Sequence, residues 1–219
     1  MLASGGKKRV FTALEQRPDW TGIVDRDEWR ESDIEAKVNQ LPRLRILPRF
    51  CLESCLLVPN ELWNALPEAK QKQIGKEANL TEPLLQVLPA WVKHGAMWRT
   101  LRERYHDARL PDGLEDKPVT DDVEIRKILK DWHDNLDPDR IIGDYEQRFH
   151  DAQNLSQEQQ FRAYIHGAKF FDAVVVPTLN KLLAQSSREK WLQQLSEDLQ
   201  SPDDIKAFLD EIYEIAVRK

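Results

Sequence analysis

Cysteine is nearly absent from this chain: 219 residues contain only Cys51 and Cys55, which leaves no basis for a disulfide framework. Four residues apart, the two fall on one face of a helix, and burial as small hydrophobes is expected. A zinc site needs two further ligands, and none stands nearby at the required spacing. The five histidines (His94, His106, His133, His150 and His166) are scattered and form no motif. Long apolar runs are also missing. None approaches the eighteen or so residues of a membrane helix, and no signal-peptide pattern follows the Met-Leu-Ala-Ser-Gly-Gly-Lys-Lys start. No membrane association is expected, and the cytoplasm is the expected location. A basic excess is lacking too, since the formal net charge is −6. Affinity for phosphate comes largely from Lys and Arg, so this balance argues against a passive nucleic-acid coat protein. An enzyme that holds cations with carboxylates is compatible with it.

What is present is enough apolar sequence for a core, 41% against 32% charged. Lys7 to Leu14 has a short helical pattern with Val10, Phe11 and Leu14 on one side, closed by Arg17-Pro18-Asp19. Trp20-Thr21-Gly22-Ile23-Val24 is a brief apolar run that ends in Asp25-Arg26-Asp27, the pattern of a buried parallel strand delivering polar residues at its end. Ser32 or Asp33 is placed to cap a short helix through Val38, and Leu44 to Leu47 reads as a second strand. After Pro48 the chain turns helical, with segments at Cys51–Leu57 and Asn60–Leu66. Asp137-Pro138, Ser201-Pro202 and the Ser156/Gln159 box mark later helix starts. Trp191, Leu192, Leu195 and Leu199, then Ile205, Phe208, Leu209, Ile212 and Ile215, recur at helical spacing. Leu110 to Asp122, rich in Pro, Gly and Asp, is the expected long loop. No internal repeat and no low-complexity tract is visible.

The expected architecture is therefore α/β and then mostly α: residues 1–63 form a small α/β part and 64–219 a helical region. Two parallel strands do not make a stable sheet by themselves. Either a later strand joins them, Ala173 to Val176 being the tempting run, or further strands come from outside the chain.

Two aspartates with one residue between them at a strand end suit magnesium, which takes one or two carboxylates and keeps water or phosphate oxygens otherwise. Strand alternation aims Asp25 and Asp27 to one side and Arg26 elsewhere. The plain alternative is a solvated turn or a helix cap, because Asp-x-Asp is common by chance.

Gly22-Ile-Val-Asp-Arg-Asp-Glu-Trp29 resembles the aspartate strand of the Toprim domain. It is most similar to the form carried by the OLD (overcoming lysogenization defect) ATPase–nucleases and related defence proteins. Gly5-Gly6-Lys7 matches their upstream Gly-Gly-Lys segment. Leu47-Pro-Arg-Phe-Cys-Leu-Glu-Ser-Cys-Leu-Leu57 parallels their Leu-x-Arg…Ile-Glu-Asn-x-Leu-Leu pattern, with Ser54 in place of Asn. The resemblance covers residues 5 to about 63, with a looser similarity at His166-Gly-Ala-Lys169. It implies a metal-dependent nuclease module in which Asp25 and Asp27 hold magnesium or manganese. Glu53 would bind a second ion or orient water, and Lys169 would neutralise charge on the cleaved phosphate. One ion then activates water and the other steadies the leaving oxygen. Lys7, Lys8 and Arg9, with Arg43, Arg45 and Arg49, are the expected phosphate contacts. Each assignment has a bland rival: Glu53 as a helix-surface acid, Lys169 as a solvated lysine, the three arginines as flanks that keep a strand edge soluble.

The resemblance also implies a preceding strand with a Val-Glu-Gly motif, whose glutamate completes the metal site, and the four residues before Gly5 do not supply it. That strand is expected from a longer chain or from a partner made by a split gene, or else it is lost in a degenerate relative that only binds an ATPase or nucleic acid. An OLD-like ATPase is the expected partner, and the open strand edge predicts an oligomer or a partner strand.

Overall fold

The computed structural model describes residues 6–27, 29, 31–107, 121–197 and 202–217. Their order is α1 (Lys7–Gln16), β1 (Gly22–Val24), α2 (Glu31–Gln40), β2 (Leu44–Ile46), a 3-10 turn (Leu52–Leu56), α3 (Pro59–Asn64), α4 (Glu68–Ile74), α5 (Glu77–Asp107), α6 (Asp122–Asn135), α7 (Pro138–Gln153), α8 (Gln157–Tyr164), α9 (Gly167–Phe170), a π-helical turn (Phe171–Val175), α10 (Val176–Leu182), α11 (Arg188–Glu197) and α12 (Asp203–Val217). The described part is thus mostly helical, with one parallel pair of strands.

The chain divides into two compact units, Met1–Leu88 with Phe161–Lys219, and Pro89–Gln160. The division expected at residue 63 coincides with neither boundary. The α/β segment and the C-terminal helices belong to one body because buried ion pairs and shared apolar contacts join them. The change of unit within α5 falls at Pro89, which has no N–H to donate to the preceding turn.

In the first unit β1 and β2 pair in parallel, Gly22 opposite Leu44 and Val24 opposite Ile46, connected through α2. Leu14, Val24, Leu41 and Leu44 form the buried cluster, with Val10, Phe11, Trp20 and Ile46 packed around it. A Cβ on Gly22 would lie 2.7 Å from Val10 Cγ1 and 2.9 Å from Leu14 Cδ1, so the glycine lets α1 sit directly on β1. The Gly22 amide donates to Arg43 O at 3.1 Å and Leu47 N–H donates to Val24 O at 3.0 Å. By the alternation of a parallel ladder, Ile23 then turns its peptide groups to the opposite edge, and the residue is 40% exposed. Among the described residues no strand pairs with that edge.

The run Ala173–Val176, tempting as a third strand, is helical: it forms the end of the π turn and the start of α10. Phe170, Phe171, Val175 and Leu179 are all buried, so helical spacing of the flanking apolar residues overrides a four-residue β pattern. The helix α2 starts at Glu31, which puts Ser32 and Asp33 inside its first turn rather than at its cap. Asp137 does cap α7, accepting from Arg140 N–H at 2.9 Å ahead of Pro138. Ser156 and Gln159 form the reciprocal box, at 3.0 and 3.3 Å. Ser201, Leu199 and Leu110–Thr120 of the expected loop lie outside the described residues, while Asp121 caps α6 and Asp122 begins it.

The second unit holds most of α5, with α6 and α7. Glu103 and Arg148 form a two-pronged pair at 2.9 and 2.5 Å, and Arg104 pairs with Asp144. α6 has no buried residue, and Leu129, Trp132 and Leu136 are exposed at helical spacing. No described helix is long and apolar enough to cross a membrane.

Candidate metal centre

The strand β1 ends at Val24, so Asp25, Arg26 and Asp27 belong to the loop that leaves its C-terminal tip. Strand alternation therefore does not orient the two aspartates. In the loop, Asp27 adopts φ 48°, in the left-handed region, and its amide donates to Phe50 O at 2.8 Å. Aspartate tolerates this backbone better than most residues because its short side chain bonds locally. Asp25 is exposed and Asp27 partly so.

A cation already stands at Asp27. Lys7 Nζ lies 2.9 Å from Asp27 Oδ2, within 3.5 Å of Arg26 O and 4.2 Å from the centre of the Trp29 ring. Trp29 in turn packs against Phe11, ring centres 5.9 Å apart, so α1 and the aspartate loop are fastened together. Arg26 points away and pairs with Glu31 of α2. Beyond the loop, the Phe50 and His166 rings pack at a tilt with centres 4.8 Å apart, and His166 Nδ1 accepts from Lys169 N–H at 3.5 Å to cap α9.

Glu53 is engaged elsewhere. Its Oε1 lies 2.6 Å from Arg188 NH2, and Arg188 Nε lies 2.6 Å from Asp172 Oδ1 in the π turn. Burial pushes the Glu53 carboxyl up, but hydrogen bonds from its own amide, the Cys51 thiol and the Arg188 guanidinium outweigh this and hold it below the ordinary range. Glu53 does not join Asp25 and Asp27 in a ligand set. Among the described residues no three His, Cys, Asp or Glu side chains are grouped so as to hold a metal. Lys169 is exposed on α9.

No family model, curated protein or solved structure matches this chain.

The expected phosphate contacts separate into distinct environments. Lys8 and Arg9 are exposed in the first turn of α1. Arg43 donates to Asp19 O at 3.0 Å, and Arg45 Nε lies 2.7 Å from Glu211 of α12. Arg49 is interior rather than on the surface, with 1% side-chain exposure, so it is not placed to contact phosphate. Its NH1 and NH2 reach Glu61 at 2.5 and 2.9 Å, its Nε and NH2 each reach Asp204 at 2.8 Å, and NH1 also donates to Ser54 O. Arg162 adds a 2.7 Å contact to Glu61. Burial alone would lower the guanidinium's pKa, and the two carboxylates more than reverse that.

Both cysteines are buried and free, as expected, and burial pushes each thiol up to about 11. They are inert at neutral pH. A Cβ on Gly167 would lie 2.6 Å from Ser54 Oγ and would also strike Cys51 Sγ, so this glycine lets α9 close onto the 3-10 turn.

Arg188 was not singled out by sequence reasoning, because nothing local marks a partner 135 residues from Glu53. The Lys7–Asp27 pair escaped notice for the same reason. These acids also set a pH dependence. The Asp204 carboxyl, raised by burial, is held low by Arg49 and Arg162, and Glu53 is held low by its own hydrogen bonds. Depressed carboxylates contribute stability that is complete above their unfolded values, about 4, and is lost as pH falls through the folded ones. The melting temperature is expected to drop on acidification below about pH 4. In Arg188→Gln, part of that acid dependence should vanish, as read from melting curves across pH.

Proposed function

We propose that the loop after β1 is a divalent-cation site of a Toprim-like, metal-dependent phosphodiesterase module related to the OLD-type nucleases. The observation that carries this reading is a pair of aspartates at the C-terminal tip of a parallel strand, with an ammonium already seated against one of them. Ligands in parallel α/β units gather at that end of the strands.

The donor set fits magnesium or manganese: two hard carboxylate groups with the Arg26 carbonyl beside them, and no sulfur or imidazole ligand in the loop. Asp25 and Asp27 would hold the ion and leave its remaining positions to water and phosphate oxygens. When bound, such an ion supplies an activated water and neutralises charge on the phosphoryl oxygens. Lys8 and Arg9, exposed in the first turn of α1, would bind the phosphodiester backbone. A third acidic ligand would come with a strand added at the Ile23 edge, from a longer chain or a partner such as an OLD-like ATPase.

A second reading has its own support. Lys7 satisfies Asp27 and Arg188 satisfies Glu53, as in a non-catalytic module of the same kind that binds an ATPase or nucleic acid. Cleavage assays on DNA and RNA with magnesium, using the full chain, separate the two. The nuclease reading expects cleavage that EDTA, Asp25→Asn and Asp27→Asn each remove. Equal cleavage by the Asp27→Asn variant would refute it.

A further inference from the structure

We infer that Lys7 is a tethered stand-in for the metal, so that cation entry at Asp27 and release of Lys7 are one exchange. The inference rests on the metal reading proposed above and concerns the regulation of that same site.

Three groups that attract cations surround the ammonium: the Asp27 carboxylate at 2.9 Å, the Arg26 carbonyl at 3.5 Å and the Trp29 ring face at 4.2 Å. Carboxylate and carbonyl oxygens are the donors a hard divalent ion uses, and the π face adds attraction for a charge above it. The position costs α1 something. Lys7, Lys8 and Arg9 all lie in its first turn, which contains no acid, and the helix dipole disfavours cations there. The helix therefore gains nothing from a lysine at this place, whereas the aspartate loop gains a counter-charge. Gly6, the residue before Lys7, has φ 82° and needs glycine's backbone freedom to begin the helix at that point.

One carboxylate cannot serve both charges at full strength. A divalent ion on Asp25 and Asp27 would compete for the Asp27 Oδ2 that Lys7 now holds and would repel the ammonium. With side-chain exposures of 21% for Lys7 and 42% for Asp27, the pair is partly screened and open enough to exchange. Lys7 would thus keep the loop folded without metal and set a threshold for metal entry. Linkage makes the effect reciprocal: whatever draws Lys7 away tightens metal binding by the same factor.

The experiment uses the full chain and Mn2+ as the probe, with free Mn2+ read by electron paramagnetic resonance. Lys7→Met removes the charge and keeps an unbranched apolar stem for the Trp29 ring. It is expected to bind Mn2+ about fivefold tighter than the parent, the effect of removing a competing, partly exposed pair. Lys7→Arg should stay close to the parent. A second readout is the 19F resonance of Trp29 in fluorotryptophan-labelled protein, assigned through Trp29→Phe. Mg2+ should shift it in the parent and leave it nearly unmoved in Lys7→Met. If Lys7→Met binds Mn2+ no tighter while Asp27→Asn abolishes binding, the exchange is wrong and the metal reading stands. If neither the parent nor Lys7→Met binds Mn2+, both fall together.

Discussion

Replacing Arg49 with methionine is expected to destabilise the protein by about 3–5 kcal/mol, because it strips the shared cation from two carboxylates inside the fold. Glu61, 12% exposed, would keep only Arg162, and Asp204 would lose both of its arms from Arg49. The Ser54 carbonyl would lose a donor as well. Lysine is a poor substitute, since the three donors of an ammonium cannot replace the five hydrogen bonds the planar guanidinium makes to Glu61, Asp204 and Ser54 O. Arg49→Lys should therefore recover only part of the loss. The damage reaches across the chain, because Arg49 ties the segment after β2 to α3 and α12, 155 residues further on. A thermal melt is expected to show a midpoint lower by roughly 10 °C for a chain of this size. A change of less than about 2 °C would mean that the network contributes little net stability.

The second large effect is functional. If the loop is the proposed nuclease site, Asp27→Asn is expected to lower metal-dependent cleavage by roughly two to three orders of magnitude, the scale on which loss of one charge-stabilising group acts in hydrolytic sites. Asparagine is the informative replacement. At φ 48° an alanine would add backbone strain, whereas asparagine tolerates the left-handed region nearly as well as aspartate. The substitution thus removes charge while sparing the loop. The Phe50 carbonyl still receives the residue-27 amide, so the loop's attachment should survive. A melting temperature lowered by no more than the partly exposed Lys7–Asp27 pair contributes, together with lost cleavage, is the expected combination, measured on the same preparation.

The local features were legible because they are written in adjacent residues. The Gly22-Ile-Val run with its abrupt aspartates, the Leu44–Ile46 strand, the Asp137-Pro138 cap and the Ser156/Gln159 box each need only a few neighbours to be recognised. Ala173–Val176 misled because a run of three valines looks alike in a buried strand and in a buried helix. The longer pattern from Phe170 to Leu179 decides between them. Arg49 misled for a different reason. An arginine beside a strand reads as a surface charge, yet the segment around it, from Phe50 through Val58, is largely buried and takes the guanidinium inside with it. Its partners Glu61 and Asp204 arrive from separate helices, and no spacing rule joins them. The same holds for Lys7 and Asp27, which lie on different elements, while Gly22 lets α1 pack closely on β1.

The most direct measurement compares thermal unfolding of the full chain with and without magnesium, alongside the Asp25→Asn/Asp27→Asn double variant. An ion that binds only the folded form must stabilise it, by about 1.4 kcal/mol when its concentration is ten times the dissociation constant. A rise in the parent's melting temperature that disappears in the double variant is the result expected of a cation held by these two acids. No rise at millimolar magnesium, or an equal rise in both proteins, would contradict it.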